Sequence, residues 1–118
     1  MKDDLVYVEH VLGCIARIET YTGGLKAAFM DSTLVQDAVV RNLEVMAEST
    51  QRLSEDTRGE HPEVDWRGLA GFRNVLAHGY LGLDTVRIWE LIDTRLPALR
   101  FGMERIRAGL VSVRGKTE

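Results

Sequence analysis

Apolar residues recur at three- and four-residue steps along most of the chain, a spacing that is typical of amphipathic helices. In the first segment this stripe consists of Leu5, Val8, Leu12, Ile15 and Ile18. The pair Gly23-Gly24 predicts the end of this first helix, because consecutive glycines favour a turn.

The following segment predicts a long second helix. Asp31 or Ser32 can act as its N-cap, since a short polar side chain can accept a hydrogen bond from the first free backbone amides. Its predicted core face comprises Leu34, Val35, Ala38, Val39, Leu43 and Met46. Residues 57–64 contain turn residues and no helical period, and we interpret them as a loop.

Three further helices are predicted in the second half of the chain. Asp65 is a suitable N-cap for a third helix that begins at Trp66, and Gly79 is a suitable stop. Asp84 can cap a fourth helix. Pro97 is well placed as the first residue of a fifth, because the fixed φ of proline suits the first helical turn.

No segment of the sequence alternates between apolar and polar residues in the manner of a strand. The pattern therefore predicts an all-α fold, an up-and-down bundle of about five helices. We expect one helical domain over residues 1–111, followed by a frayed C-terminal tail over residues 112–118.

The composition predicts a cytoplasmic protein without membrane contact. Apolar residues make up 45% of the chain and charged residues 28%, as in ordinary soluble domains. No apolar run approaches the roughly 20 residues that span a bilayer, and the N-terminus lacks the apolar core of a signal peptide. Cys14 is the single cysteine, which excludes an internal disulfide and a multi-cysteine zinc site.

The net charge of −3 argues against binding nucleic acid through a globally basic surface. Acidic residues concentrate between Asp31 and Asp65, whereas basic residues concentrate from Arg87 onward. Only three of the 15 basic residues are lysines, and arginine suits bidentate contacts to phosphate or carboxylate. A local phosphate site and a solvated basic helix are both compatible with this pattern.

Residues 73–80 are the most informative segment, because they place Arg73, Asn74, His78 and Tyr80 at the end of the third predicted helix. Histidine transfers protons near neutral pH, and an arginine guanidinium holds phosphate through paired donors. RNA cleavage by the 2′-hydroxyl needs a base, a cation at the phosphorane oxygens and an acid for the leaving oxygen. His78 could act as the base or the acid, and Arg73 could bind the phosphate. Asn74 could help to position the substrate.

One chain offers a single histidine in this segment, whereas the cleavage needs two proton transfers. Two copies that face each other across a homodimer would supply both the acid and the base, together with two arginines. This need is a chemical argument for a homodimeric site.

A structural interpretation of the same residues stays open. Arg73 can pair with Glu44 or Glu48, and His78 can cap the helix C-terminus, where the dipole favours a positive charge. In that case the protein is a purely structural helical adaptor. Asn42 lies beside the apolar stripe of the second helix and can either orient a neighbouring helix or reach the pocket.

Glu44 and Glu48 are four residues apart on one face of the second helix, with Arg41 three residues before Glu44. They form either an acidic pair that supports the site or an intrahelical salt-bridge face. The histidines outside the motif, His10 and His61, have no clustered partners of the kind that bind metals, so no metal site is predicted.

Four stretches of the chain match a known protein family in sequence: residues 37–48, Pro62 with residues 64–67, residues 71–80 and residues 86–89. Within the third stretch, Arg73, four residues, His78, one residue and Tyr80 follow each other without a gap. On these residues the sequence resembles the HepT-type toxins of the HEPN superfamily, which are encoded beside minimal nucleotidyltransferases in prokaryotes. The similarity covers nearly the whole chain. One departure is Ala47-Glu48-Ser49, where relatives often carry Gly-Glu-Ala.

The resemblance implies an up-and-down helical bundle that dimerises and builds a composite RNase site from Arg73 and His78 of both subunits. It implies no metal and no cofactor for RNA cleavage. It also implies a nucleotidyltransferase antitoxin that uses ATP to transfer AMP to Tyr80. Such a modification would bring negative charge and bulk to a pocket for RNA phosphate.

Taken with the resemblance, the residues lead to two candidate functions. The first, which the resemblance implies, is a toxin that cleaves RNA as a metal-independent endoribonuclease. The alternative is an inactive HEPN dimer that binds nucleotide, RNA or its nucleotidyltransferase partner without cutting RNA, which the acidic net charge favours.

Overall fold

The computed structural model describes the backbone of residues 2–79 and 84–117, and the side chains of residues 3–76 and 84–112. The described backbone forms helices and no strand, so the predicted all-α bundle is confirmed. The six helices are α1 (Lys2–Thr22), α2 (Lys26–Met30), α3 (Thr33–Gln51), α4 (Glu55–Glu60), α5 (Trp66–Gly79) and α6 (Thr85–Thr117).

The turn after α1 is built on the two predicted glycines. Gly23 and Gly24 have φ values of 61° and 75°, in the left-handed region that only glycine enters without strain. The chain then forms the short helix α2, which the sequence pattern did not predict. Ser32 is the N-cap of α3, with its Oγ accepting a hydrogen bond from the Val35 amide at 3.2 Å. Asp31 is instead the C-cap of α2.

The predicted loop over residues 57–64 is wrong in its first half, because residues 57–60 belong to α4. This short helix has its own N-cap in Ser54, whose Oγ accepts from the Thr57 amide at 3.2 Å. Asp4 on α1 binds Ser54 and Thr57 and thereby holds the first turn of α4. A contact between residues so distant in sequence is invisible to a local pattern.

The predicted start of a fifth helix at Pro97 is also wrong, because Pro97 lies inside the single long helix α6. A proline in a helix interior removes one backbone hydrogen bond. The buried side chains on both sides of it follow one unbroken helical stripe: Ile88, Ile92, Leu96, Leu99, Met103 and Ile106. Continuous burial of this stripe offsets the lost bond. The Asp84 N-cap is confirmed, since its Oδ1 accepts from the Arg87 amide at 3.1 Å.

The core lies where α1, α3, α5 and α6 meet. Helix α1 packs on α3 and α6, and α5 packs on α3. Cys14 is buried in this core, and burial raises the pKa of its thiol. Trp89 is buried against Phe29, with ring centroids 5.8 Å apart.

None of the described helices is long and apolar enough to cross a membrane. Helix α6 continues to Thr117, past residue 111, where the sequence places the end of the domain. The domain limit and the fraying of the tail stay predictions.

Candidate functional site

Asp65 fixes the start of α5, the helix that carries the predicted motif. Its Oδ1 accepts a hydrogen bond from the Gly68 amide at 2.9 Å, and its Oδ2 accepts one from Nη1 of Arg95 at 2.8 Å. The Gly68 bond and then the Arg95 bond hold the pKa of Asp65 below its usual value. The predicted N-cap is confirmed, and its partner Arg95 also ties the first turn of α5 to α6.

The buried face of α5 sets the orientation of the rest of the helix. Leu69, Phe72 and Leu76 are buried at successive turns. With this face held against the core, Arg73 and Asn74 are exposed to solvent. Arg73 has no hydrogen bond or ion pair with any residue that the structure describes. Its guanidinium is therefore available to bind an anion.

Arg73 lies at a cleft between α5 and α3 with a volume of about 240 Å³. The cleft is lined by Arg41, Glu44, Glu48, Arg73 and Leu76. The structure therefore brings the two glutamates singled out in the sequence to the same cleft as the motif arginine. The three charged residues of α3 share one face because they lie three and four residues apart.

Of the ion pairs that the sequence suggested for these residues, the described part of the chain contains only an intrahelical pair at Glu48. Arg73 pairs with neither glutamate, and Arg41 does not pair with Glu44. Glu48 instead accepts a hydrogen bond from Nη2 of Arg52 at 3.1 Å, and this bond is the main cause that raises the pKa of Arg52. Glu44 is left without a described partner.

Asn42 does not line the cleft, and its side chain serves the contact between helices. Its Oδ1 accepts a hydrogen bond from Nε of Arg17 on α1 at 2.9 Å. Its Nδ2 donates to the carbonyl of Ala38 at 2.9 Å. Of the two roles that the sequence left open for Asn42, the structure supports the orientation of a neighbouring helix.

The backbone of His78 lies in the last turn of α5, as predicted, whereas its side chain and the whole of Tyr80 lie outside the described residues. Arg73 and His78 are five positions apart. At 3.6 residues per turn this separation rotates their Cα atoms by about 140° around the helix. A single helix therefore does not place both residues on one face.

Arg41 is a lining residue that sequence reasoning assigned only to a salt bridge. The spacing of Arg41, Glu44 and Glu48 along α3 predicts that they share a charged face. It does not predict which helix packs opposite that face. Among the described side chains, no three His, Cys, Asp or Glu residues are placed to hold a metal ion.

A second cavity, of about 210 Å³, lies between α6, α5 and the segment before α5. Val64, Leu69, Phe72 and Leu99 give it an apolar wall, and the Asp65–Arg95 pair lies at its edge. This cavity contains none of the predicted site residues.

The model of the HepT-like ribonuclease family matches residues 11–106 of the chain. The chain is 31% identical to "Probable ribonuclease HepT" of Thermococcus cleftensis over 102 residues, which are 86% of this chain and 93% of that protein. It is 32% identical to "Putative RNase MJ1216" of Methanocaldococcus jannaschii over 118 residues, which are 100% of this chain and 90% of that protein.

A third relative is longer. The chain is 32% identical over 100 residues to "Gamma-glutamylcyclotransferase and putative RNase MJ0434" of Methanocaldococcus jannaschii. This match covers 84% of the chain and 45% of the relative, so the chain spans less than half of that protein's length. No solved structure matches the chain.

The family model covers most of the described bundle, including α3, the whole of α5 and the Arg73-to-His78 segment. The resemblance drawn from the sequence is therefore confirmed, and the chain belongs to the HepT-like ribonuclease family.

Proposed function

We propose that this protein is the toxin of a toxin–antitoxin system, an endoribonuclease that cleaves RNA without a metal ion at a composite site of a homodimer. The observation that carries the proposal is Arg73. Its side chain is exposed at the cleft between α3 and α5, and no described residue pairs with it. The N-cap and the buried face of α5 hold the helix that carries it. Membership in the HepT-like ribonuclease family supports the same function.

In the proposed reaction, the 2′-oxygen of a ribose attacks the adjacent phosphorus while His78 of one protomer takes the hydroxyl proton. Arg73 stabilises the negative charge that develops on the phosphorane oxygens. The bond from phosphorus to the 5′-oxygen then breaks, and His78 of the other protomer gives that oxygen a proton. The products are a 2′,3′-cyclic phosphate and a free 5′-hydroxyl, so the chain consumes no cofactor. Asn74 helps to position the substrate.

The placement of the motif on α5 supports a site made by two protomers. Because Arg73 and His78 lie on different faces of one helix, an arginine and a histidine that act on one phosphate are more easily drawn from two chains. Two chains also provide the two histidines that the proton transfers need.

Regulation is proposed to act on Tyr80. A nucleotidyltransferase antitoxin would transfer AMP from ATP to its hydroxyl, with pyrophosphate as the leaving group. Tyr80 follows the last turn of α5 directly in sequence. The added phosphate would therefore introduce negative charge close to the groups that bind RNA phosphate.

The test is cleavage of end-labelled single-stranded RNA by the unmodified protein in the presence of EDTA. Arg73→Ala and His78→Ala should each lower the rate by roughly 100-fold or more, as expected for loss of a charge stabiliser or a proton donor. Arg67→Ala is the matched control, because Arg67 is an arginine on the same helix that does not line the cleft. A folded His78→Ala protein that cuts as fast as the parent contradicts the proposal.

The homodimer is tested separately. The rate per chain should fall when the protein is diluted below the concentration at which sedimentation shows dimers dissociating. A rate per chain that is the same for monomer and dimer rules out a composite site.

Binding without cleavage is a second candidate, favoured by the two carboxylates in the cleft, which weaken its attraction for phosphate. In that case RNA or nucleotide binds, Arg73→Ala weakens the binding, and no cleavage product forms.

A further inference from the structure

The cleft between α3 and α5 presents two kinds of polar group that have no described partner. Arg73 and Arg41 offer guanidinium donors, and Glu44 offers a carboxylate that only accepts. Glu48 differs from Glu44, because Arg52 already binds its carboxylate. A ligand that satisfies the free groups must therefore carry both an anionic group and hydrogen-bond donors.

A nucleotide within single-stranded RNA has both features. Its phosphate suits the guanidinium of Arg73, and the donor edge of its base suits the carboxylate of Glu44. Sequence-specific proteins commonly read bases in single-stranded RNA in this way, through the Watson–Crick edge. Leu76 lines the same cleft and makes part of its wall apolar.

The four bases differ in how well they match a carboxylate. Guanine presents two adjacent N–H donors, on N1 and on its 2-amino group, which can bind both oxygens of one carboxylate. Cytosine and adenine each present one amino group beside a ring acceptor. Uracil presents one N–H between two carbonyl oxygens, both of which a carboxylate repels. Guanine is therefore the best match for Glu44, and uracil is the poorest.

We propose that Glu44 is a specificity-determining residue that selects guanine next to the phosphate held by Arg73. This inference rests on the proposed function, which supplies RNA as the substrate. It adds the base that the protein prefers and the residue that reads it.

Binding can be measured without cleavage by using short oligonucleotides whose 2′-hydroxyls are methylated, since these lack the attacking group. The probes are uridine tracts with a single central guanine, cytosine or adenine, and free GMP and UMP are measured alongside them. The unmodified protein should bind the guanine probe more tightly than the all-uridine probe by roughly 5- to 140-fold, the range of a good bidentate base contact.

Glu44→Ala removes the carboxylate that binds guanine, so the ratio of the two affinities should fall to near one. The variant should still fold, because the exposed Glu44 side chain contributes no described contact to the fold. Asp37→Ala is the matched control, an exposed acid on α3 that does not line the cleft, and it should leave the preference unchanged. Arg73→Ala should lower the affinity for all probes by similar factors, since Arg73 binds the phosphate rather than the base.

Equal binding of the guanine and uridine probes by the parent protein overturns the inference, as does a guanine preference that survives Glu44→Ala. The protein could instead prefer GMP over UMP through Glu44 and show no base preference among the oligonucleotides. That result assigns the cleft to a mononucleotide and overturns the assignment to RNA. A preference that depends on Glu44 in the oligonucleotides, in a protein that cuts no RNA, supports the inference while the proposed nuclease activity fails. RNA cleavage without any base preference in binding supports the proposed nuclease activity and overturns the inference about Glu44.

Discussion

Arg17 on α1 donates a hydrogen bond from its Nε to Oδ1 of Asn42 on α3, at 2.9 Å. This bond joins the two helices and also fixes the amide of Asn42, whose Nδ2 donates to the Ala38 carbonyl. The same arginine contacts Sγ of Cys14 at 3.7 Å. Asn42 therefore contributes to the contact between α1 and α3, on a part of α3 that does not line the cleft.

Asn42→Ala is expected to lower the free energy of unfolding by about 1 kcal/mol, since it removes the bond between the helices. It should leave the rate of RNA cleavage by folded protein unchanged. Urea denaturation and the cleavage assay measure the two quantities. Asp37→Ala, on the exposed side of the same helix, is the stability control. A loss of activity in folded Asn42→Ala protein would show that the side chain reaches the site after all.

Asp4 is a second tertiary anchor, and its replacement tests the contact between α1 and α4. Asp4 is 2% exposed, and its carboxylate accepts hydrogen bonds from the Ser54 amide, the Ser54 hydroxyl and the Thr57 hydroxyl, at 2.9, 2.7 and 2.5 Å. Burial raises the pKa of Asp4, but the bonds from Thr57 and Ser54 outweigh it, so the net pKa lies below the usual value. Asp4→Asn should cost roughly 1–3 kcal/mol near neutral pH.

The sign of the pH dependence follows from this lowered pKa. The carboxylate of Asp4 contributes stability above its unfolded pKa of about 4, and this contribution is lost as the pH falls through the folded pKa. The difference in unfolding free energy between the parent and Asp4→Asn should therefore shrink in acid. Asp3→Asn, at the exposed neighbouring position, should show no such difference. A difference that stays constant down to strongly acidic pH would contradict the assignment.

Gly102 tests the packing of α6 against the segment before α5. A Cβ at Gly102 would come within 2.7 Å of Cγ2 of Val64, so Gly102→Ala must displace Val64. We expect a loss of roughly 1–3 kcal/mol in the free energy of unfolding, as for other overpacked positions. Gly109→Ala, on the same helix with nothing within 4 Å of the added Cβ, should instead stabilise the protein by roughly 0.5–1 kcal/mol. Equal effects at the two positions, measured by urea denaturation, would contradict this account.

Modification at Tyr80 is tested by intact mass and peptide mapping. After incubation with ATP and an active cognate nucleotidyltransferase, the chain should gain one or more AMP units on the peptide that contains Tyr80. Tyr80→Phe lacks the accepting hydroxyl and should gain none. The modified protein should also cut RNA more slowly, because the added phosphate repels the substrate. An unchanged mass with an active partner would favour the binding function over the regulated toxin.

The class of fold and most of the helix starts follow from the amino-acid sequence alone. The three- and four-residue spacing of apolar residues requires helices that bury one face, and this local property needs no knowledge of neighbours. Gly23 with Gly24, Ser32, Asp65 and Asp84 act within one turn of their own position, so their roles as turn or caps were predictable. The family was predictable too, because the order of Arg73, His78 and Tyr80 is a property of the linear chain.

Contacts between distant residues set the features that the sequence pattern did not predict. Helix α4 depends on Asp4, some 50 residues away along the chain, and α6 runs through Pro97 because its buried stripe continues on both sides. The cleft is a similar case. The sequence showed the charged face of α3 that carries Glu44 and left its approach to Arg73 as one open interpretation. Only the packing of α5 on α3 established that the two residues line the same cleft. The spacing of side chains within one helix depends only on the local sequence, whereas the helix that packs against it depends on the side chains of the whole core.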